Sequence, residues 1–326
     1  MRDFKNKIAV ITGAGTGMGR ALACQLSAAG CHLALCDILM ENLEETVRLA
    51  RAEAPDGLRI STHHCDVSQE PDVENFRDEV QREHQTEAIH LLFNNAGVGG
   101  GGSFVNDPRE SWEKTFNICW FGVYYSARAF MPLLVAADDG YIVNTSSVNG
   151  FWASLGPHTA HSAYSASKFA VKGFTEALIT DLRMNAPHVK AAVVMPGHIG
   201  TGIVANSARI HGAPKAGDMG PKDLLGVRTR MKRMGLDADA LSDDQVRGIV
   251  AQQAIDFEKK APLTAEGAAE IILDGVREER WRILVGNDAE AIDALVRESP
   301  EQAYDADFHV RVMKIFQDGQ QKKTAE

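Results

Sequence analysis

At 326 residues the chain is long enough to bury a sizeable core and to fold as one α/β domain. Its apolar fraction of 44% is that of a globular protein, and its net charge of −10 argues against a nucleic-acid-binding surface. No apolar stretch approaches the roughly 20 residues that span a bilayer, and the first residues run directly into a strand. We therefore expect no membrane partner and no signal peptide.

Apolar strands alternate with helical patterns over most of the chain, which predicts a doubly wound parallel α/β sheet covered on both faces. The predicted strands are Ile8–Ile11, Leu33–Cys36, Ile60–Cys65, Ile89–Phe93, Gly140–Asn144, Lys190–Met195 and Arg282–Val285. The predicted helices cover residues 17–29, 41–53, 69–84, 109–137, 165–185 and 265–279. Ligands of such sheets bind beyond the carboxyl ends of the strands, where the unusual segments of this chain also lie.

A glycine-rich turn stands between the first strand and the first helix. Its sequence is Thr12-Gly13-Ala14-Gly15-Thr16-Gly17-Met18-Gly19. Glycine permits a tight turn and a close approach of the backbone to a ligand, while the helix N-terminus offers free N–H groups and a positive dipole end. The segment predicts a diphosphate cradle, and a glycine turn without a ligand is the alternative.

An acidic residue, Asp37, ends the second predicted strand. In a βαβ unit such a carboxylate accepts hydrogen bonds from the ribose hydroxyls of a dinucleotide, and it would repel a 2′-phosphate. No Arg or Lys lies between Gly13 and Gly19 or directly beside Asp37, so the sequence favours NAD over NADP. The alternative is an aspartate that begins a turn or caps the next helix.

Tyr164 and Lys168 stand one helical turn apart, on the same face of a predicted helix. A free phenol has a pKa near 10, but a neighbouring ammonium group and an oxidised nicotinamide ring would stabilise the phenolate. Lys168 could also bind the nicotinamide ribose. Ser147 follows the strand that ends at Asn144 and could hold a substrate oxygen, although Ser146 or a helix-capping role remains an alternative.

Together, these segments resemble the short-chain dehydrogenase/reductase family over about residues 5–286. The resemblance implies a Rossmann-type fold and an oxidoreductase in which Tyr164 is the general acid/base and Lys168 lowers its pKa. Ser147 would position the substrate oxygen, and Asn117 would hold a water for proton relay. The stretch between Ser147 and Tyr164 is a few residues longer than is usual in the family.

The resemblance also assigns the residues that bind the coenzyme. Asp66 and Val67 would contact the adenine, residues 95–97 would line the adenosine side, and residues 196–201 would hold the nicotinamide end. The implied set is Gly13, Gly15, Thr16, Gly17, Met18, Gly19, Asp37, Asp66, Val67, Asn95, Ala96, Gly97, Tyr164, Lys168, Pro196, Gly197, Ile199 and Thr201. No metal is expected, because His158, His161 and His198 have no acidic partner at ligand spacing.

Two regions depart from simple strand–helix alternation. We expect residues 1–286 to form the catalytic domain, with 202–262 as a lid over the substrate and 287–326 as a C-terminal extension. The lid should end in a helix that Ser242 caps with Gln245, and the extension should be helical around 288–297. The basic residues of the lid form either a solvated face or an anionic-group site; they are Arg228, Arg230, Lys232 and Arg233.

The segments around the expected site are mostly apolar, which favours a bulky hydrophobic secondary alcohol or ketone as substrate. These segments are Val98–Gly102, Phe151–Leu155 and Ile199–Val204. Phe151 and Trp152 could equally be core or subunit-contact residues. The aromatic excess of helix 109–137 suggests a second buried face. Members of the family commonly pair through this helix, so we expect a homodimer or homotetramer.

Other functions remain open at this point. A nicotinamide-binding regulatory protein without turnover is one, and a reductase for an anionic or acyl-type carbonyl is another. A sugar-nucleotide epimerase or dehydratase is disfavoured, because the chain after Gly286 is too short for the larger C-terminal substrate domain of those relatives. The five cysteines have no CxxC spacing, so we expect free thiols and a cytoplasmic protein.

Overall fold

A computed structural model describes residues 1, 3–156 and 159–314 of the chain. Seven parallel strands form one sheet: β1 (Ile8–Thr12), β2 (His32–Asp37), β3 (Ile60–His64), β4 (Leu91–Asn94), β5 (Gly140–Thr145), β6 (Val189–Pro196) and, last in the chain, β9 (Arg282–Val285). Their order across the sheet is β3-β2-β1-β4-β5-β6-β9, so the direction of winding reverses between β1 and β4. A separate pair joins β7 (Ile199–Gly200) to β8 (Leu263–Thr264).

Helices cover both faces of the sheet, as the alternating pattern predicts. They are α1 (Gly17–Ala28), α2 (Met40–Ala52), α3 (Glu70–His84), α4 (Arg109–Phe116), α5 (Gly122–Val135), α6 (Ser162–Asn185), α7 (Ile203–Ile210), α8 (Pro221–Arg233), α9 (Asp243–Lys259), α10 (Ala265–Arg277) and α11 (Asn287–Glu298). The doubly wound Rossmann-type α/β fold expected from the sequence is confirmed, with each of the seven predicted strands in place.

The strands read as continuous apolar runs because both of their faces are buried. In β1, Ala9, Val10 and Ile11 are all fully buried. Ala9 and Ile11 join the apolar cluster under α1 and α10, whereas Val10 joins the cluster on the opposite face. This alternation of side chains between two cores is the geometry that a parallel sheet with helices on each side requires.

The aromatic-rich helix predicted over 109–137 is interrupted. A π-helical turn, Asn117–Phe121, separates α4 from α5. By length and composition alone, the 27-residue run Arg109–Val135 could cross a membrane, since an 18-residue window within it has a mean hydropathy of 1.3. This finding corrects the expectation that the chain has no such stretch. The apolar character has a packing role here, because Ala127, Phe130 and Leu134 lie buried in the core.

Residues 202–262 contain two helices, α7 and α8, that the sequence pattern did not predict. This segment has its own apolar cluster, formed by Met219, Leu224, Met231, Ala238 and Val246. The predicted cap of α9 is confirmed: the Ser242 hydroxyl accepts the Gln245 N–H at 3.2 Å, and the Gln245 side chain accepts the Ser242 N–H at 2.7 Å. Such reciprocal bonds satisfy two N–H groups that a helix start would otherwise leave unpaired.

The chain after β9 begins with α11, which matches the helix expected around 288–297. A further helical run covers 306–314. Both pack on Trp152, in a cluster with Ile292, Ala303, Phe308 and Val312. Of the two roles left open for Trp152, the structure therefore shows the core role. The rest of the expected extension, residues 315–326, lies outside the described residues.

Candidate active site

The glycine-rich turn leads from β1 into α1 at the point where the sheet reverses direction. Gly13 and Gly17 have φ values of 63° and 55°, a conformation that L side chains rarely adopt. A Cβ atom at Gly13 would lie 2.7 Å from Cα of Ala96. The turn is thus packed so closely against the loop after β4 that these glycines are required sterically.

The first turn of α1 leaves its N–H groups available. It contains no acidic residue, and the Thr16 side chain makes no capping hydrogen bond among the described residues. The Thr16 hydroxyl instead accepts a hydrogen bond from Nδ2 of Asn206 at 2.9 Å. A helix start with unpaired N–H groups and no competing carboxylate fits a diphosphate. Met18, also predicted here, packs against the core below.

Asp37 lies at the end of β2, beside the glycine turn. Its two carboxylate oxygens accept separate hydrogen bonds, from the N–H of Gly15 at 2.8 Å and from the N–H of Leu39 at 2.9 Å. Burial raises the pKa of Asp37, while these backbone hydrogen bonds lower it. The guanidinium of the nearby Arg20 is bonded to the carbonyls of Gly15 and Asn42. The positive charge of Arg20 is therefore already engaged within the protein.

Side-chain hydrogen bonds join the loop after β4 to the end of β1. The Asn95 amide donates to the carbonyls of Thr12 and Gly13, both at 3.1 Å. The Thr12 hydroxyl accepts the N–H groups of Asn95 and Ala96, also at 3.1 Å. The Asn95 side chain is thus used inside the protein, so any contact of this residue with a coenzyme would come from its backbone.

Asp66 and Val67 follow β3 on the same side of the sheet. The Asp66 carboxylate accepts two hydrogen bonds from Ser68, one from its N–H at 3.0 Å and one from its hydroxyl at 2.7 Å. Val67 is buried, and its side chain would collide with any Cβ at Gly122, the first residue of α5. The structure places both residues at the strand end where the resemblance expects the adenine.

Tyr164, Ser147 and Lys168 converge at the carboxyl end of β5. The Ser147 hydroxyl lies close to the Tyr164 phenol, near enough to lower the pKa of the phenol. The ammonium group of Lys168 lies 5.4 Å from the centre of the Tyr164 ring and donates to the carbonyl of Thr145 at 2.8 Å. The three side chains that the sequence singles out for catalysis are therefore neighbours.

Burial dominates the ionisation of this cluster. It raises the pKa of Tyr164, and the neighbouring thiol of Cys119 acts in the same direction, whereas the nearby Ser147 hydroxyl lowers it. Burial also lowers the pKa of Lys168. In this state the phenol is protonated at neutral pH. A further positive charge beside the ring would be needed to make it a base.

The two neighbouring serines have different environments. The Ser146 hydroxyl donates to the carbonyl of Lys168 at 2.7 Å, which fixes α6 against β5. The Ser147 hydroxyl accepts the N–H of Asn149 at 3.1 Å and lies beside Tyr164. Of the alternatives left open by the sequence, Ser147 is thus the serine that faces the phenol.

Asn117 opens the π-helical turn between α4 and α5. Its carbonyl accepts the N–H of Gly122, five residues on. Insertions of this kind are frequent at functional sites. The turn brings Cys119 against the site, where its thiol donates to the Val98 carbonyl at 3.2 Å. No hydrogen bond joins Asn117 to Lys168 within the described part of the chain, and Cys119 is a neighbour of the site that the sequence did not indicate.

The segment expected at the nicotinamide end lies after β6. Thr201 approaches the glycine turn: a Cβ at Gly17 would lie 3.0 Å from Cγ2 of Thr201. Ile199 is buried in β7. Gly197 is covered by the carboxylate of Asp288, which would collide with any side chain there. The sequence pattern did not indicate Asp288. It lies three residues after the end of β9, and the rule that ligands bind beyond the carboxyl ends of parallel strands would have pointed to it.

The histidines near the site, at which no metal is expected, have separate protein contacts. The His198 ring donates to the Phe257 carbonyl at 2.7 Å, and the His161 ring packs on Tyr164 with 4.7 Å between ring centres. Burial lowers the pKa of His161 to about 4. His158 lies outside the described residues. Within the described ranges, no three His, Cys, Asp or Glu side chains form a group that could hold a metal.

A cleft of about 640 Å³ opens beside His161 at the start of α6. Its walls are formed by the loop after β4 and the loop after Ser147, including Phe104, Ala153 and Gly156. The expected wall segments therefore contribute only partly, because the Trp152 side chain points into the core instead. Basic Arg228 is also turned inward, bonded to the carbonyls of Ala238 and Leu241.

Comparisons with known proteins agree with this fold. The family model described as short chain dehydrogenase matches residues 7–210. An oxidoreductase named SadH from Mycobacterium tuberculosis is 34% identical over 91% of this chain and 92% of its own length. Human epidermal retinol dehydrogenase 2 is 34% identical over 62% of this chain and 63% of its own.

Two solved structures extend the comparison. A short-chain dehydrogenase/reductase from Burkholderia phymatum in complex with NAD superimposes with a TM-score of 0.72 at 30% identity, over 92% of this chain and 96% of that one. A metagenomic short-chain oxidoreductase in complex with NADP has a TM-score of 0.52 at 31% identity, over 60% and 83%. The chain belongs to the short-chain dehydrogenase/reductase family of oxidoreductases.

Proposed function

We propose that this protein is an NAD-dependent dehydrogenase/reductase that interconverts a hydrophobic secondary alcohol and its ketone. The observation that carries the proposal is the contact between Tyr164 and Ser147 at the carboxyl end of β5, with the Lys168 ammonium group beside the phenol ring. A proton-transferring phenol, a hydroxyl that fixes the substrate oxygen and a cation form a general acid/base site.

In this proposal, Ser147 and Tyr164 hold the substrate oxygen between their hydroxyl groups. Tyr164 takes the hydroxyl proton of the alcohol on oxidation and returns it to the carbonyl oxygen on reduction. The Lys168 cation stabilises the phenolate, and a water held near Asn117 would pass the proton to solvent. When bound, the nicotinamide coenzyme supplies the acceptor or donor of the hydride that leaves or joins the carbinol carbon.

The coenzyme would lie beyond the carboxyl ends of β1 and β4, where the direction of winding of the sheet reverses. The glycine turn and the start of α1 would hold its diphosphate, Asp66 and Val67 its adenine, and residues 95–97 the adenosine side. Residues 196–201 would bind its nicotinamide end, with Lys168 on the adjoining ribose. The free N–H groups of α1 and the sterically required glycines support this placement.

The preference for NAD is supported by the surroundings of Asp37. Its carboxylate stands at the strand end, and two nearby cations already have partners: Arg20 is bonded to backbone carbonyls, and Arg209 is paired with Glu41. A 2′-phosphate there would meet the negative charge of Asp37. The relative solved with NAD and the relative solved with NADP show that both coenzymes occur among similar proteins.

We propose that residues 202–262 act as the lid of the catalytic domain 1–286. The supporting contacts join this segment to the glycine turn and to the loop after β4. Asn206 donates to the Thr16 hydroxyl on the glycine turn, and Ser207 accepts the N–H of Gly99 at 2.8 Å on the loop after β4. A segment that is bonded to both the glycine turn and the loop after β4 would enclose a bound coenzyme.

The substrate class rests on the apolar and small residues around the cleft beside His161. The inward bonds of Arg228 leave that cation unavailable for an anionic or acyl-type substrate, which lowers the support for that alternative. The retinol dehydrogenase relative is named for a hydrophobic alcohol, which agrees with the apolar character of the proposed substrate, although retinol is a primary and not a secondary alcohol.

We also propose a homodimer or homotetramer that works in the cytoplasm. Tyr124 on α5 and Phe169 on α6 are exposed, and Tyr124 lies in tilted and edge-on contact with other aromatic rings, an arrangement that suits a second copy. The five cysteines are free, as expected in a reducing compartment. A monomer mass in light scattering would contradict the assembly.

The proposed activity can be tested by incubating the protein with a panel of secondary alcohols and ketones and following the absorbance of reduced nicotinamide. We expect turnover with NAD and bulky apolar substrates. Binding of NAD without turnover of any substrate would instead favour the alternative of a nicotinamide-binding regulatory protein.

A further inference from the structure

The end of the chain builds the surroundings of the loop that follows Ser147. Trp152, in that loop, is only 4% exposed. Its partners in the apolar cluster, Ile292, Ala303, Phe308 and Val312, all come from the chain after β9. The rings of Trp152 and Phe308 lie 5.8 Å apart. The loop is therefore held by a segment that is distant in the sequence, since Trp152 and Ala303 are 151 positions apart.

Two hydrogen bonds fix this loop to consecutive residues of the C-terminal segment. The indole N–H of Trp152 donates to the carbonyl of Ala303 at 2.7 Å. The backbone N–H of Ala153 donates to the phenol oxygen of Tyr304 at 3.1 Å. At the far end of the loop, a Cβ on Gly156 would lie 2.7 Å from the ring of His309. The segment thus contacts the loop along its whole length.

The same loop is connected to the candidate catalytic residues. The Asn149 amide donates to the carbonyls of Trp152 and Ser154, at 3.0 and 3.1 Å, while the Asn149 N–H donates to the Ser147 hydroxyl. Ala153 and Gly156 also form one wall of the cleft beside His161, whose ring packs on Tyr164. A shift of this loop would change the width of the cleft beside His161.

We propose that residues 299–314 determine substrate specificity by holding the loop Phe151–Gly156 in place, with the Tyr304 hydroxyl as the positioning group. The proposal rests on the proposed function, because it assigns the cleft to the substrate of that reaction. Tyr304 acts through the loop and does not touch the reacting atoms. In this proposal, the segment keeps the cleft at a width that admits a bulky apolar ketone and binds it tightly.

Tyr304 offers a clean test, since its side chain is 64% exposed and removal of its hydroxyl leaves the apolar cluster intact. Tyr304→Phe deletes only the acceptor of the Ala153 N–H. Trp152→Phe is a second variant that removes the other hydrogen bond while keeping a ring in the cluster. Val310→Ala, at a 67% exposed position of the same segment, is the matched control.

The first measurement is hydrogen exchange of peptides that cover residues 151–156 in the full-length protein, which needs no activity. We expect faster exchange in Tyr304→Phe and Trp152→Phe, and unchanged exchange in Val310→Ala. Wild-type exchange rates in both of the first two variants would overturn the proposal, because the segment would then not hold the loop.

The second measurement is the ratio of kcat/KM for acetophenone to that for 2-butanone, with NADH. We expect this ratio to fall about five-fold or more in Tyr304→Phe, with an unchanged KM for NADH and an unchanged Tm. Faster exchange with an unchanged ratio would overturn the role in specificity. If the wild-type protein reduces no ketone, the proposed function fails and the specificity role with it, while the exchange result still decides whether the segment holds the loop.

Discussion

The carboxylate of Asp288 accepts a hydrogen bond from the backbone N–H of His198 at 2.7 Å, across 90 positions of the chain. The same histidine is held on its other side, where its ring donates to the Phe257 carbonyl. The turn after β6 is therefore fixed between α9 and α11. Since this turn is the proposed binding segment for the nicotinamide end, Asp288 supports the site without belonging to any expected motif.

Replacement of Asp288 should separate its charge from its hydrogen bond. Asp288→Asn keeps an acceptor for the His198 N–H, whereas Asp288→Ala leaves that N–H unpaired. We expect Asp288→Ala to lower the free energy of unfolding by about 1–3 kcal/mol and to raise the KM for NAD. Asp288→Asn should retain both properties near the wild-type values. Equal behaviour of the two variants would contradict the assigned role.

The pH dependence of stability supplies a check on the same carboxylate. Burial raises the pKa of Asp288 above its ordinary value of 3.8, so the folded state binds this proton more tightly than the unfolded state does. Stability from this group is full below the ordinary pKa and is lost as the pH rises through the raised one. The Tm of Asp288→Asn relative to wild type should therefore increase as the pH rises from the ordinary pKa through the raised one.

Coenzyme choice should respond to the charge of Asp37. Asp37→Asn removes the carboxylate that opposes a 2′-phosphate, and the ratio of kcat/KM for NADP to that for NAD should rise at least about tenfold. Glu45→Gln, which removes an exposed charge from the neighbouring helix, should leave the ratio unchanged. A wild-type protein that already prefers NADP would show that Asp37 does not select the coenzyme.

The neighbouring serines should give different phenotypes. Ser147→Ala removes the hydroxyl beside the phenol, and we expect kcat to fall by about 10²–10³. We also expect a loss of about 0.5–2 kcal/mol of stability, because the Asn149 N–H loses its acceptor. Ser146→Ala removes the bond to the Lys168 carbonyl, so its main effect should be on stability, by about 0.5–1.5 kcal/mol. Steady-state kinetics and thermal unfolding of both variants would settle the assignment, and a larger loss of kcat in Ser146→Ala would reverse it.

The lid proposal predicts an effect on coenzyme release. Asn206→Ala deletes the hydrogen bond between α7 and Thr16, and we expect NADH to dissociate about two- to ten-fold faster in stopped-flow experiments. Ala205→Ser, at an exposed position of the same helix, serves as the control. An unchanged dissociation rate in Asn206→Ala would mean that this contact does not retain the coenzyme.

The sequence was sufficient for the parts of the molecule that local chemistry determines. The apolar strands predicted the sheet, Ser242 with Gln245 predicted a helix start, and the spacing of Tyr164 and Lys168 placed both on one face of a helix. These features depend on neighbours a few residues away. Local periodicity and cap geometry are therefore enough to specify them.

The parts that the sequence did not give depend on distant partners. Helix α8 packs against α9 through the cluster around Met231 and Val246, which forms only when their segment folds together. The inward orientation of Trp152 needs the chain beyond β9. The partnership of Asp288 with His198 likewise arises from the parallel register of β6 and β9, which brings two strand ends together.

The activity of Tyr164→Phe tests the central claim most directly. The variant keeps the ring and removes only the hydroxyl that would exchange the proton. We expect kcat for oxidation of a secondary alcohol with NAD to fall by at least about 10²-fold, with NADH binding and Tm unchanged. Wild-type turnover by a correctly folded Tyr164→Phe protein would contradict the assignment of this phenol as the general acid/base.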